Sequence, residues 1–135
     1  MSLTLRSSLA AAVFLAAAPA MACIDLPAQA RQIQGSHFRV VVTSEPTPIP
    51  LNAPFALEIR LCDARMAELS RLAAVDAWMP AHRHGMNYKT TLTKRDWGHY
   101  RAEGLLLHMP GEWEFVFDFA GPDKPERLTF RIDAQ

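Results

Sequence analysis

The chain has 135 residues, half of them apolar, with 14 basic side chains against 14 acidic ones. That length holds one domain, and the charge balance excludes a disordered charged tail and argues against a nucleic-acid partner. Ten Pro, six Gly and two Cys exclude a collagen-like chain and a dense disulfide scaffold.

Residues 1–22 read as a secretory signal peptide. Arg6 is the only charge there, an apolar run follows from Leu9 to Pro19, and Ala20-Met21-Ala22 supplies a small-residue cleavage site. The run is shorter than the ~20 apolar residues of a spanning helix, and no later stretch approaches that length, so the mature chain is expected to carry no transmembrane segment. Cleavage after Ala22 makes Cys23 the new N-terminus and places the protein in the periplasm or outside the cell. A lipid anchor on Cys23 is the alternative, although Ala20 stands where such proteins usually carry Leu.

Cys23 and Cys62 then meet an oxidising compartment, and an even count there predicts one disulfide. The chain-entropy model gives such a loop about 4 kcal/mol. A metal role for these cysteines lacks a CxxC or Cys-His pair.

Residues 23–36 read as a tail tethered by Cys23, and residues 37–135 as the folded domain. Phe38, Val40 and Val42 open a first strand, which the Pro-rich segment 45–54 ends. Phe55, Leu57, Ile59 and Leu61 form a period-two face with Glu58, Arg60 and Cys62 opposite, so Cys62 points away from the core. Residues 63–70 allow a short helical turn. Strands are predicted over 71–79, 86–93 and 97–107. Trp113, Phe115, Phe117 and Phe119 line one face of a sixth strand. Leu128, Phe130 and Ile132 mark a seventh. The expected fold is all-β, a single immunoglobulin-like β-sandwich of about seven strands, with Phe55, Leu57, Ile59, Trp113, Phe115, Phe117, Leu128 and Phe130 inward.

Chemistry-bearing residues concentrate in two segments. The first is Trp78-Met79-Pro80-Ala81-His82-Arg83-His84-Gly85-Met86-Asn87-Tyr88 and the second His108-Met109-Pro110-Gly111. Thioether sulfur suits Cu(I), and imidazole suits Cu(II) and zinc, so a mixed site can hold copper in either oxidation state. In an extended segment His82, His84 and Met86 project to one side, and Gly85 permits a tight backbone path. His108 can return beside them, with Met79 or Met109 completing the set. His37 and His99 stand apart and read as structural or exposed. Trp78 and Trp113 read as core or rim aromatics. No G-x-S-x-G or paired-carboxylate motif speaks for an enzyme.

The stretch Asp76 to Tyr88, followed by Tyr100 to Glu114, resembles the YtkA-like/FixH-like family of small exported bacterial proteins. The MP-x-H-x-HGMNY and HMPG-x-WE segments carry the likeness, which spans roughly residues 37–132. The resemblance implies an immunoglobulin-like sandwich and a link to copper delivery and haem-copper oxidase assembly. The chain departs from membrane-anchored FixH proteins in retaining no transmembrane helix. Two functions are therefore expected to compete. One is an exported copper-binding protein, a metallochaperone or copper-homeostasis factor that serves a periplasmic cuproprotein or oxidase-assembly acceptor. The other is a metal-independent interaction module using the His/Met/Trp edge.

Overall fold

The computed structural model describes Cys23 and residues 25–36, 38–63, 65 and 70–135. The signal-peptide reading, His37 and most of the expected helical turn at 63–70 lie outside the described residues.

Among the described residues, nine strands form two antiparallel sheets. They are β1 (Arg31–Gln34), β2 (Arg39–Glu45), β3 (Phe55–Leu61), β4 (Arg71–Met79), β5 (His84–Gly85), β6 (Thr91–Asp96), β7 (His99–Leu105), β8 (Gly111–Ala120) and β9 (Glu126–Ala134). The first sheet has the order β1-β2-β3-β7-β6 and the second β5-β4-β8-β9. With β1 and the two-residue β5 set aside, this is the strand order of the ABED and CFG sheets of a constant-type sandwich.

Alternation explains the layers. Trp113, Phe115, Phe117 and Phe119 on β8 are buried, while the residues between them are partly exposed. Phe55, Leu57, Ile59 and Leu61 on β3 meet them from the first sheet. Edge-on ring pairs bridge the layers: Phe38 with Phe119 at 5.1 Å and Phe55 with Phe115 at 6.1 Å between centroids. The expected inward set is borne out, except that Phe130 is only partly buried, stacked against Phe115 and Phe117.

Two segments depart from the expected strands. Residues 31–34, taken as tail, form β1 on the edge of β2, with Ile33 packed against the core. The single strand expected over 86–93 starts only at Thr91, as β6. Before it, β5 closes a hairpin with β4, and the chain crosses to the first sheet. Thr90 ties this crossing to β4 by donating its hydroxyl to the Val75 carbonyl at 2.6 Å. The crossing also lies over Gly104, where a Cβ would stand 3.0 Å from the Lys89 carbonyl oxygen.

Cys23 and Cys62 form the expected disulfide across a sequence separation of 39. Cys62 follows β3 with outward parity, and the tail reaches it over the outer face of the first sheet, where Leu26 and Pro27 line a cavity with Val41. Cys62→Ser should cost about 2–4 kcal/mol in denaturant melts. Intact mass before and after reduction and alkylation checks the bond, and two thiols that alkylate without reduction would disprove it.

On the same outer face Glu58 lies 2.6 Å from both Arg101 and His99. Burial pushes its carboxyl up, but hydrogen bonds from Arg101 and His99, together with their charges, outweigh burial and hold it below the usual carboxylate value. A depressed carboxyl stabilises the fold fully above its unfolded value, and that contribution is lost as pH falls through the folded value. Glu58→Gln should therefore lower stability at neutral pH and flatten the acid limb of a melt-against-pH profile. An acid limb identical to wild type would remove Glu58 as its source.

Candidate functional site

The two segments singled out in the sequence meet at one end of the sandwich. Residues 80–83 turn the chain from β4 into β5, and the amides of His82 and Arg83 both donate to the Met79 carbonyl, at 3.2 and 2.9 Å. Arg83 takes the left-handed conformation at φ 54°. Residues 106–110 cross from the first sheet to the second and bring His108 alongside.

The imidazoles converge. The ring centroids of His84 and His108 stand 5.2 Å apart, stacked at 27°. His82 and His84 stand 5.7 Å apart. These are direct ring-to-ring contacts that gather the three imidazoles in one chain of neighbours. His84 and His108 also lie edge-on to Trp113, at 5.9 and 5.4 Å. Trp113 is buried and donates its indole N–H to the Met109 carbonyl at 2.9 Å, which pins the 108–111 turn. It is thus the platform of the cluster, a role that its place on the β8 face did not announce.

Three methionines come from the same segments. Met79 is 2 % exposed and faces His84 in the β4–β5 register, so the two share a face. Met86 and Met109 are partly buried against the core. A Cβ at Gly111 would meet Met79 Cε at 2.9 Å, and Gly111 has φ +120°. Gly111→Ala should cost about 1–3 kcal/mol in a thermal or denaturant melt, from positive-φ strain and the displaced thioether. A melt unchanged from wild type would show that the contact is slack.

Two details of the expected geometry are corrected. His82 sits exposed in the turn, so strand alternation does not align it with His84 and Met86; it meets only the His84 ring, among the ring contacts of the described residues. The left-handed position falls at Arg83 rather than at Gly85, whose part is steric: a Cβ there would lie 3.3 Å from the Ala77 carbonyl oxygen. His99, read as structural or exposed, is held in the Glu58 ion pair, away from this cluster.

One atom in the cluster is anomalous. His108 Nδ1 is sealed from solvent and has no hydrogen-bond partner. Buried polar atoms are nearly always paired, so an orphan nitrogen beside the His84 imidazole is a natural place for a ligand. Among the described residues, no three or more His, Cys, Asp or Glu side chains are grouped to hold a metal ion. A metal here would therefore rest on imidazoles completed by thioethers.

Compared with known proteins, the chain matches no family model, no curated sequence and no solved structure at a significant level. Among the described residues, no helix is long and apolar enough to cross a membrane.

Proposed function

We propose that this is an exported copper-binding protein, a metallochaperone or copper-homeostasis factor that carries the ion to a periplasmic cuproprotein or an oxidase-assembly acceptor. The orphaned, buried His108 Nδ1 beside the His84 ring carries this reading. The His84–His108 pair supplies imidazole, with His82 in the adjoining turn beside His84, and Met86, with Met79 or Met109, supplies thioether. A site without thiolate should release copper more readily than a Cys-rich sink, which suits a carrier rather than a catalyst. The proposal also draws on the resemblance of the MP-x-H-x-HGMNY and HMPG-x-WE segments to those of YtkA-like/FixH-like proteins.

Competition titration of Cu(I) and Cu(II) against chelators tests the proposal on the wild type and on His82→Ala, His84→Ala, Met86→Leu and His108→Ala. Met86→Leu should weaken Cu(I) binding more than Cu(II) binding, because it removes a soft donor at nearly constant volume. Four variants that bind like wild type, or a wild type no tighter than micromolar, would defeat the carrier reading.

A second reading, the metal-independent interaction module, draws on exposed aromatics beside the site. Trp78 is 40 % and Tyr88 53 % exposed, and both line a groove of about 660 Å³ on the outer face of the second sheet. Exposed Trp and Tyr are common anchors of protein interfaces. Binding of a partner at equal strength with and without metal would favour this module.

A further inference from the structure

The two stacked imidazoles differ in what their Nδ1 atoms do. His84 Nδ1 lies 3.0 Å from the Gly85 carbonyl oxygen. A carbonyl only accepts, so the neutral His84 ring carries its proton on Nδ1 and keeps its lone pair on Nε2. His108 Nδ1 is buried and meets no acceptor. A proton there would be a buried donor left unpaired, so the neutral ring carries it on Nε2 and leaves a bare lone pair on Nδ1.

The donors packed near this end of the core are soft. Met79 is almost fully buried, with its Cε against Gly111, and Met86 and Met109 pack against the same core. Zn(II) favours imidazole, carboxylate and thiolate, and Cu(II) a tetragonal set of nitrogen and oxygen, whereas thioether favours the soft monovalent state.

From these observations we infer that the cargo is a soft monovalent cation, Cu(I) or its analogue Ag(I), held by opposite nitrogens of the ring pair: Nε2 of His84 and Nδ1 of His108, with thioether sulfur completing the site. This rests on the copper-carrier reading above and commits it to one oxidation state and two named atoms. The Gly85 carbonyl acts as a positioning group, because it fixes which nitrogen of His84 is free.

Long-range ¹H–¹⁵N spectra of histidine-labelled protein test the inference in two stages. Without metal, His84 should show the Nδ1–H tautomer and His108 the Nε2–H tautomer. On addition of Ag(I), the largest ¹⁵N shifts should fall on His84 Nε2 and His108 Nδ1, and a tenfold excess of Zn(II) should not reverse them. A His108 ring protonated on Nδ1, a metal shift on its Nε2, or displacement of Ag(I) by Zn(II) would overturn the inference and leave the copper reading standing. If neither Ag(I) nor anaerobic Cu(I) shifts any histidine nitrogen of the folded protein, the copper reading itself falls.

Discussion

Phe117→Ala should destabilise the protein by about 3–5 kcal/mol, the loss expected when a fully buried aromatic ring is truncated. Phe117 has no exposed surface, sits mid-strand on β8 between Phe115 and Phe119, and stacks on Phe130 with ring centroids 5.7 Å apart. Its loss removes apolar contact with both layers and leaves a cavity between sheets whose backbones are paired along their length. On β8 the partners are β4 on one side and β9 on the other, so the strand has little freedom to collapse into the gap. Denaturant melts of wild type and variant measure the difference. A loss under 1 kcal/mol would mean that Phe117 does not sit between the sheets.

The second large effect concerns metal. The double variant His84→Ala/His108→Ala should weaken Cu(I) affinity by about 100-fold or more, since loss of a mere supporting partner of a ligand already costs about 10–100-fold. Both rings rest on Trp113 without carrying the core, so the variant should stay folded, and a melt checks this. A folded double variant that binds Cu(I) as wild type does would place copper elsewhere.

Period-two patterning made the main strands legible. The inward residues of β3 and the aromatic run of β8 alternate because one face is buried and the other meets solvent, and β4 spans the expected 71–79. The disulfide was legible from the outward parity of Cys62 and the even cysteine count. Three features were not. β1 has only Ile33 as an inward apolar residue, too little pattern to mark a strand. Residues 80–90 carry a turn, a two-residue strand and a crossing between sheets, and such changes of sheet leave no periodic trace. The left-handed Arg83 was hidden because Gly85, two residues on, looked like the flexible position.

At the site, residue types were legible and their arrangement was not. His82, His84, Met86 and His108 stand out as clustered soft and borderline donors in the chain. Only the fold reveals that His84 and His108 stack, that Trp113 supports them, and that His108 Nδ1 is orphaned. Such an orphan depends on what surrounds the ring in three dimensions, which no spacing encodes.

The central claim is that this end of the sandwich holds one copper ion. The most direct measurement is the copper-to-protein ratio after anaerobic loading with Cu(I) and desalting, for wild type beside the folded His84→Ala/His108→Ala variant. One copper per wild-type chain and none on the variant is the result expected. A wild type that retains no copper, or a variant that retains as much, would contradict it.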